Sequence, residues 1–320
     1  MQDYHYYTIV LPTRLQTDTV IAIFLLKFFG KERFPGIETA TVKIQNHISG
    51  DESSLRDEGI LLLDMGGGVF DHHAYGNTAS YLVAKELDML DNKAIEKMLQ
   101  LADRDDRFGK GTISNDPLDR AFGLPGLIMS VNKSMPDDPD RICKYMMPLL
   151  WGHYSEEWRR NYGIPDEYQK QKEVGKVKEF TVRHKGKNLL GVYIFSDNQS
   201  MAGWLRSQMG PSADVVIIEN SNGYINMLTK QVKRIDLRMV ISLLRQEELK
   251  NAGKTVEKKA EYYMQTGRMD EVPVWYYDTA TNSILNATGT SQSISPTTLS
   301  VDTVISSVEK GLNEFERPSA

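Results

Sequence analysis

Apolar residues along the first hundred positions alternate between short continuous runs and longer helical spacings. "YYTIVLP" (6–12) is short and β-rich, which predicts a buried strand. "DTVIAIFLLKFFGK" is apolar on nearly every side and reaches Gly30, which predicts a buried helix closed by that glycine. "TATVKIQN" predicts a second strand. "GILLLDMGGG" is an unbroken apolar run cut off by glycines, the pattern of a central strand in a parallel sheet. "NTASYLVAKELDML" and "NKAIEKMLQLADRDD" carry helical spacing, the first opened by Thr and Ser and the second ending in carboxylates. Strand and helix alternate, so this part reads as an α/β domain with a parallel sheet, whose ligands sit at the carboxyl ends of the strands.

The pattern changes twice more. From about Pro117 to Lys176 it is helical and rich in aromatics and charge, as in an amphipathic linker with a Pro-Gly interruption. From Val177 a period of two returns. "EFTVRHKGKNLLGVYIFS" predicts a hairpin turning at "KGKN", and "ADVVIIENSNGYINMLTK" a second one turning at Asn-Gly. "SMAGWLRSQMG" predicts a short helix capped by Gly210. A helix ("IDLRMVISLLRQEEL"), a last hairpin ("VPVWYYDTATNSILNATGTS") and a final helix complete the chain. The expected organisation is an α/β domain over 1–140, a helical linker over 141–176 and a smaller α/β domain over 177–320. A chain of 320 residues suits two domains.

Composition narrows the function. Apolar residues make up 40% and charged residues 25%, as in ordinary globular proteins. The net charge of -5 argues against a surface that coats nucleic acid, although a local basic groove remains compatible with it. It also fits a site of carboxylates that a metal neutralises. Cys143 is the one cysteine, so no intramolecular disulfide forms, which suits a reducing compartment. No apolar run approaches the roughly 18 residues of a membrane span, and "MQDYHYYTIVLP" lacks the features of a signal peptide. These features predict a soluble, cytoplasmic protein with no membrane partner.

The chemistry concentrates at 64–73. Asp64 ends an apolar run, Gly66, Gly67 and Gly68 let the backbone turn, and Asp71, His72 and His73 follow. Two of only six histidines are therefore adjacent. Carboxylates with a few imidazoles are a ligand mix for Mn²⁺ or Mg²⁺ rather than for structural Zn²⁺. Asp18 and the "DRDD" cluster, with Asp103, Asp105 and Asp106, supply further acidic points that can converge on one centre. Acidic groups at a helix C-terminus oppose its dipole, so a metal, or Arg104 and Arg107, is expected to offset them.

"DMGGGVFDHH" followed by "NTASYLVAKEL" resembles the second and third motifs of the DHH phosphoesterase superfamily, most of all its Myg-type branch. The resemblance runs in motif order over much of 5–130 and more loosely into the second domain. It implies a two-domain enzyme with the site in the cleft between domains and a Mn²⁺ or Mg²⁺ centre that hydrolyses phosphodiesters or phosphoanhydrides. Superfamily members include RecJ-type nucleases, nanoRNases, cyclic dinucleotide phosphodiesterases and family II pyrophosphatases. The Myg-type branch implies 3′-to-5′ RNA exonuclease activity, with short RNA or a nucleotide-type phosphate as substrate. By the same resemblance Asp18 matches the last Asp of the first motif, Asp64 the metal-bridging Asp, His72 the metal-binding His, and His73 the one facing the phosphate and leaving oxygen. Asp71 is expected to orient a histidine. Asp103 or Asp106 is expected to be the fourth-motif ligand.

The first motif departs from the pattern. Its usual His and Asp ligands are replaced in "LPTRLQTDT" by Leu, Pro, Arg14 and Gln16. Three readings stay open: a one-metal enzyme with Arg14 supplying positive charge to a phosphate, a substitute ligand from His5 or His47, or a protein that binds a phosphorylated ligand without hydrolysing it. Pyrophosphate hydrolysis is a further alternative. In the second domain, Thr288, Gly289 and Thr290 of "LNATGTSQSISPTTLS" and Arg206 of "GWLRSQ" are the candidate phosphate contacts. A homodimer is compatible with the sequence.

Overall fold

The computed structural model describes residues 4–66, 68–73, 76–108, 115–286 and 294–313. The chain is mixed α/β and divides into two compact units, Met1–Arg159 and Arg160–Ala320. Among the described residues, no helix is long and apolar enough to cross a membrane.

The first unit holds a parallel sheet of β1 (Thr8–Leu11), β2 (Thr41–Ile44) and β3 (Ile60–Leu62) in the order β2-β1-β3. β1 is therefore the central strand, and the "GILLL" run expected there forms an edge. Burial explains the difference. Ile9, Val10 and Leu11 of β1 are all buried, whereas in β3 only Leu61 is, between half-buried Ile60 and Leu62. A continuous apolar run signals burial but does not specify two strand neighbours.

Helix α1 (Thr17–Phe29) is buried from Thr17 to Leu26, as its all-round apolar sequence predicts. It ends at Gly30, whose N–H donates to the Leu26 carbonyl at 2.8 Å. Helices α2 (Glu52–Asp57), α3 (Ala79–Glu86), α4 (Glu96–Phe108), α5 (Pro117–Phe122), α6 (Leu124–Ser134) and α7 (Pro139–Trp158) complete the unit. Ile142, Cys143, Met146 and Leu150 of α7 share one core with the α1 residues. The stretch read as a linker is thus helical, and its first half supplies core side chains to the first unit.

The second unit begins with a π-helical turn and α8 (Ile164–Glu173). Its seven-stranded sheet runs β4 (Val177–His184), β5 (Lys187–Phe195), β6 (Val215–Glu219), β7 (Ile225–Thr229), β10 (Ser283–Leu285), β9 (Val272–Asp278) and β8 (Gly267–Met269). Among the described residues of this sheet, only β5 and β6 pair in parallel. β4 and β5 join through Lys185-Gly186, both at positive φ, as a tight two-residue hairpin turn requires. Between β6 and β7 the Asn-Gly turn widens, because Asn220 Oδ1 accepts the backbone N–H groups of Asn222 and Tyr224. The unit's further α-helices among the described residues are α9 (Met201–Arg206), α10 (Arg238–Asn251) and α11 (Val301–Asn313). Ser207, not Gly210, occupies the cap position of α9.

Candidate metal centre

The carboxyl ends of β1 and β3 open onto a cavity of about 450 Å³, lined by Asp18, Asp64, His72, His73, Asp106 and Arg107 among others. This is the sheet edge at which parallel α/β folds place their ligands.

The loop after β3 builds the centre. Asp64 has a positive φ of 63°, a conformation that side-chain-bearing residues seldom adopt. Gly66 follows at φ 77°, where glycine carries no penalty. The loop is then anchored by Phe70, which is 3% exposed and packs its ring against Phe34 at 5.7 Å between centroids. The Asp64 N–H donates to the Phe70 carbonyl at 3.2 Å, which closes the loop. Asp71, His72 and His73 come directly after this anchor, so the chain returns them to Asp64.

Asp64, His72 and His73 each bring a ligand atom into a group lying within 4.8 Å of one another. His72 Nε2 stands 2.8 Å from Asp64 Oδ1. The pair is close but not aligned as a hydrogen bond, and among the described residues the buried Oδ1 has no hydrogen-bond partner. Such an orphaned buried oxygen is costly unless something else satisfies it. Ligand atoms at right angles on an ion with bonds of about 2.1 Å lie about 3 Å apart, so the spacing suits a shared divalent cation. Burial pushes the Asp64 carboxyl up to about 6, with nearby Asp18 adding to the rise and His72 opposing it. A cation bound here would reverse that effect.

His73 is placed differently. Its Nδ1 lies 2.7 Å from Asp71 Oδ1, against 3.8 Å from Asp64 Oδ1, and its side chain is 67% exposed. Asp71 also accepts the His73 backbone N–H at 3.1 Å. The Asp71 hydrogen bond raises the His73 pKa above the ordinary imidazole value. With Nδ1 engaged, Nε2 is the ring atom left to meet a substrate.

The remaining acidic candidates separate according to helix phase. Met98, Ala102 and Asp105 form the buried face of α4. Asp105 accepts a hydrogen bond from Thr17 Oγ1 at 2.6 Å and so ties α4 to the start of α1. Asp106 lines the cavity, whereas Asp103 is partly exposed and pairs with Arg107 Nε at 2.7 Å. The i, i+4, i+7 spacing of Met98, Ala102 and Asp105 is a signal in the sequence that would have placed Asp105 inward.

Asp18 stands on the cavity wall in the first turn of α1, but both its oxygens are engaged. Oδ2 accepts the Ala79 N–H and Oδ1 the Ser80 N–H, each at 2.8 Å, at the N-terminus of α3. Burial raises its pKa against the effect of these donors. Asp18 therefore fastens α3 to α1. Asp18→Ala is expected to cost about 1.5–3 kcal/mol in urea unfolding while leaving Mn²⁺ stoichiometry intact. Loss of the ion with unchanged stability would instead make Asp18 a ligand.

Arg14, His5, His47 and Arg206 are not among the residues that line this cavity. Arg14 is exposed and lines a separate, smaller recess with Asp105 and Asn132, so the arginine at the cavity is Arg107. An exposed arginine in a polar loop gives no sequence signal for which recess it borders. His5 and His47 are exposed and belong neither to the three-residue cluster nor to the cavity lining. Arg206 donates from Nε to the Ala202 carbonyl and from Nη1 to the Thr229 carbonyl, so it holds α9 to β7. Two of its five N–H donors are engaged in this way. Thr288, Gly289 and Thr290 lie outside the described residues.

No protein-family model matches the chain, and no curated protein matches it. Among solved structures it is similar to the crystal structure of an uncharacterized protein from Helicobacter pylori G27, over 97% of this chain and 100% of that one, with 12% identity and a TM-score of 0.27. A likeness that weak carries no argument about fold or function.

Proposed function

We propose that this protein is a divalent-metal-dependent phosphoesterase of the DHH type, acting on phosphodiester bonds of short RNA or a nucleotide-like substrate. The observation that carries the reading is the buried Asp64 Oδ1, which has no hydrogen-bond partner among the described residues and stands 2.8 Å from His72 Nε2, in a cavity at the carboxyl edge of a parallel sheet. The motif order around "DMGGGVFDHH" supports the same assignment. The eroded first motif favours a single ion, held by Asp64 and His72 with Asp106 at the same cavity.

A bound Mn²⁺ or Mg²⁺ supplies Lewis acidity for phosphoryl oxygens and acidifies water. The chain's own residues do the rest. Asp64 and His72 would hold the ion. Arg107, at the cavity wall, balances negative charge on the phosphoryl oxygens. His73 delivers a proton to the leaving oxygen from Nε2, and Asp71 fixes its ring and favours its protonated form.

Hydrolysis of bis-p-nitrophenyl phosphate and of a short oligoribonucleotide series with added Mn²⁺ tests the proposal. Turnover that needs the metal supports it; metal binding without turnover of any substrate would leave a binder of phosphorylated ligands. The Asp71–His73 pair predicts a pH effect. Because the Asp71 hydrogen bond raises the His73 pKa, Asp71→Asn lowers it, and the proton donor is lost at a lower pH. The alkaline limb of the kcat profile is expected to move down in pH, with a loss of about 10- to 100-fold at slightly alkaline pH. An unshifted limb would remove His73 as the acid.

A further inference from the structure

Asp105 is a buried carboxylate that the metal centre does not use. It is 7% exposed, and Thr17 Oγ1 donates to its Oδ2 at 2.6 Å. Oδ1 is buried as well, and among the described residues it has neither a hydrogen-bond partner nor an ion pair. One neutral hydroxyl is poor compensation for a buried negative charge, which protein interiors hold when it is paired or coordinates a metal.

Asp105 lines a recess of about 20 Å³ together with Thr17, Asn132 and Arg14 among others. That volume holds a single water-sized particle. Three helices meet there, since Thr17 opens α1, Asp105 belongs to α4 and Asn132 to α6. Asn132 is itself 8% exposed, and its Nδ2 donates to the Leu15 and Ile128 carbonyls at 2.9 Å each. With the amide hydrogens engaged, Oδ1 is its remaining, accepting end. Thr17 gives its hydroxyl proton to Asp105, which leaves the lone pairs of Oγ1. One carboxylate with two neutral oxygens supplies a single negative charge, which balances a monovalent cation. Arg14 does not take that part. It is exposed, has no ion pair among the described residues, and its planar guanidinium is larger than the recess.

We propose that the recess is a site for an alkali cation, Na⁺ or K⁺, held by Asp105 Oδ1, Asn132 Oδ1 and Thr17 Oγ1. The ion fastens α1, α4 and α6 to one another next to the metal cavity, because Asp18 follows Thr17 and Asp106 follows Asp105, and both of these line that cavity. The site is separate from Asp64 and His72 and holds whether or not the protein is a phosphoesterase.

Thermal unfolding without divalent ions, in the chlorides of Na⁺, K⁺ and tetramethylammonium at one ionic strength, tests the site. Tetramethylammonium is too large for the recess. The midpoint is expected to lie about 2–6 °C higher in Na⁺ or K⁺ than in tetramethylammonium, and the larger rise identifies which of the two ions the recess takes. Asp105→Asn keeps the shape of the side chain and removes its charge, so its midpoint is expected to be the same in all three salts. Asn132→Leu removes an acceptor on a different helix and is expected to lose most of the shift, which keeps the test independent of either single variant; circular dichroism verifies that both are folded. Equal midpoints for the wild type overturn the proposal and leave water or Arg14 as the partner of Asp105. An alkali-ion shift that survives in both variants overturns it too, because the ion then binds elsewhere.

Discussion

Asp64→Ala or His72→Ala is expected to remove Mn²⁺ binding and to lower metal-dependent turnover by about 10²- to 10³-fold or more, since the ion contributes several kcal/mol to the transition state. Neither side chain belongs to the hydrophobic core, and Asp64 is an unfavourable tenant of the metal-free fold. The sign of its linkage follows from the raised pKa. An acid whose folded value rises from 3.8 to about 6 contributes stability that is present below pH 3.8 and is lost as pH climbs through about 6. Without metal, Asp64→Ala is therefore expected to be at least as stable as the wild type at neutral pH. With metal the order reverses, because only the wild type gains from binding. Mn²⁺ affinity should also weaken as pH falls below about 6, where a proton competes for Asp64. Thermal scans of both proteins with and without Mn²⁺ read all of this. Equal Mn²⁺ stabilisation of wild type and Asp64→Ala would dismiss Asp64 as a ligand.

Phe70→Ala is expected to destabilise the protein by about 3–5 kcal/mol, as for other buried aromatic truncations, and to weaken Mn²⁺ binding. The ring packs on Phe34 within the core of the first unit, and the Phe70 carbonyl accepts from the Asp64 N–H. Losing the ring frees the loop that returns His72 and His73 to Asp64. Val69 provides the control: it is 53% exposed, so Val69→Ala is expected to change stability by no more than about 0.5 kcal/mol. Urea unfolding of the two variants decides the matter. Equal effects would mean that the loop is held by something other than Phe70.

The sequence made some of this visible for definite physical reasons. α1 is apolar on nearly all sides and lies buried from Thr17 to Leu26. Lys185-Gly186 turns the first hairpin where "KGKN" predicted it, because a positive-φ turn leaves a glycine signature. Asp64, His72 and His73 were legible because ten consecutive residues bring them together, so local chain geometry suffices. The rest depends on long-range packing. Asp18 caps a helix some sixty positions later, a partnership that its neighbours in sequence do not encode. The edge position of β3 follows from which strands pair, and a hydrophobic run is silent on that. Asp103, Asp105 and Asp106 look equivalent as a string, yet α4 pairs one with Arg107, turns one to Thr17 and sets one at the cavity. Arg14 and Arg107 differ in the same way.

The central claim is that Asp64 and His72 share a divalent cation. The most direct measurement is anomalous diffraction at the manganese edge from crystals of the wild-type protein grown with Mn²⁺. One strong peak is expected about 2.2 Å from both Asp64 Oδ1 and His72 Nε2, within the range of hard-cation ligation. Absence of a peak at Asp64 under saturating Mn²⁺, or a peak bound only by other residues, would contradict it.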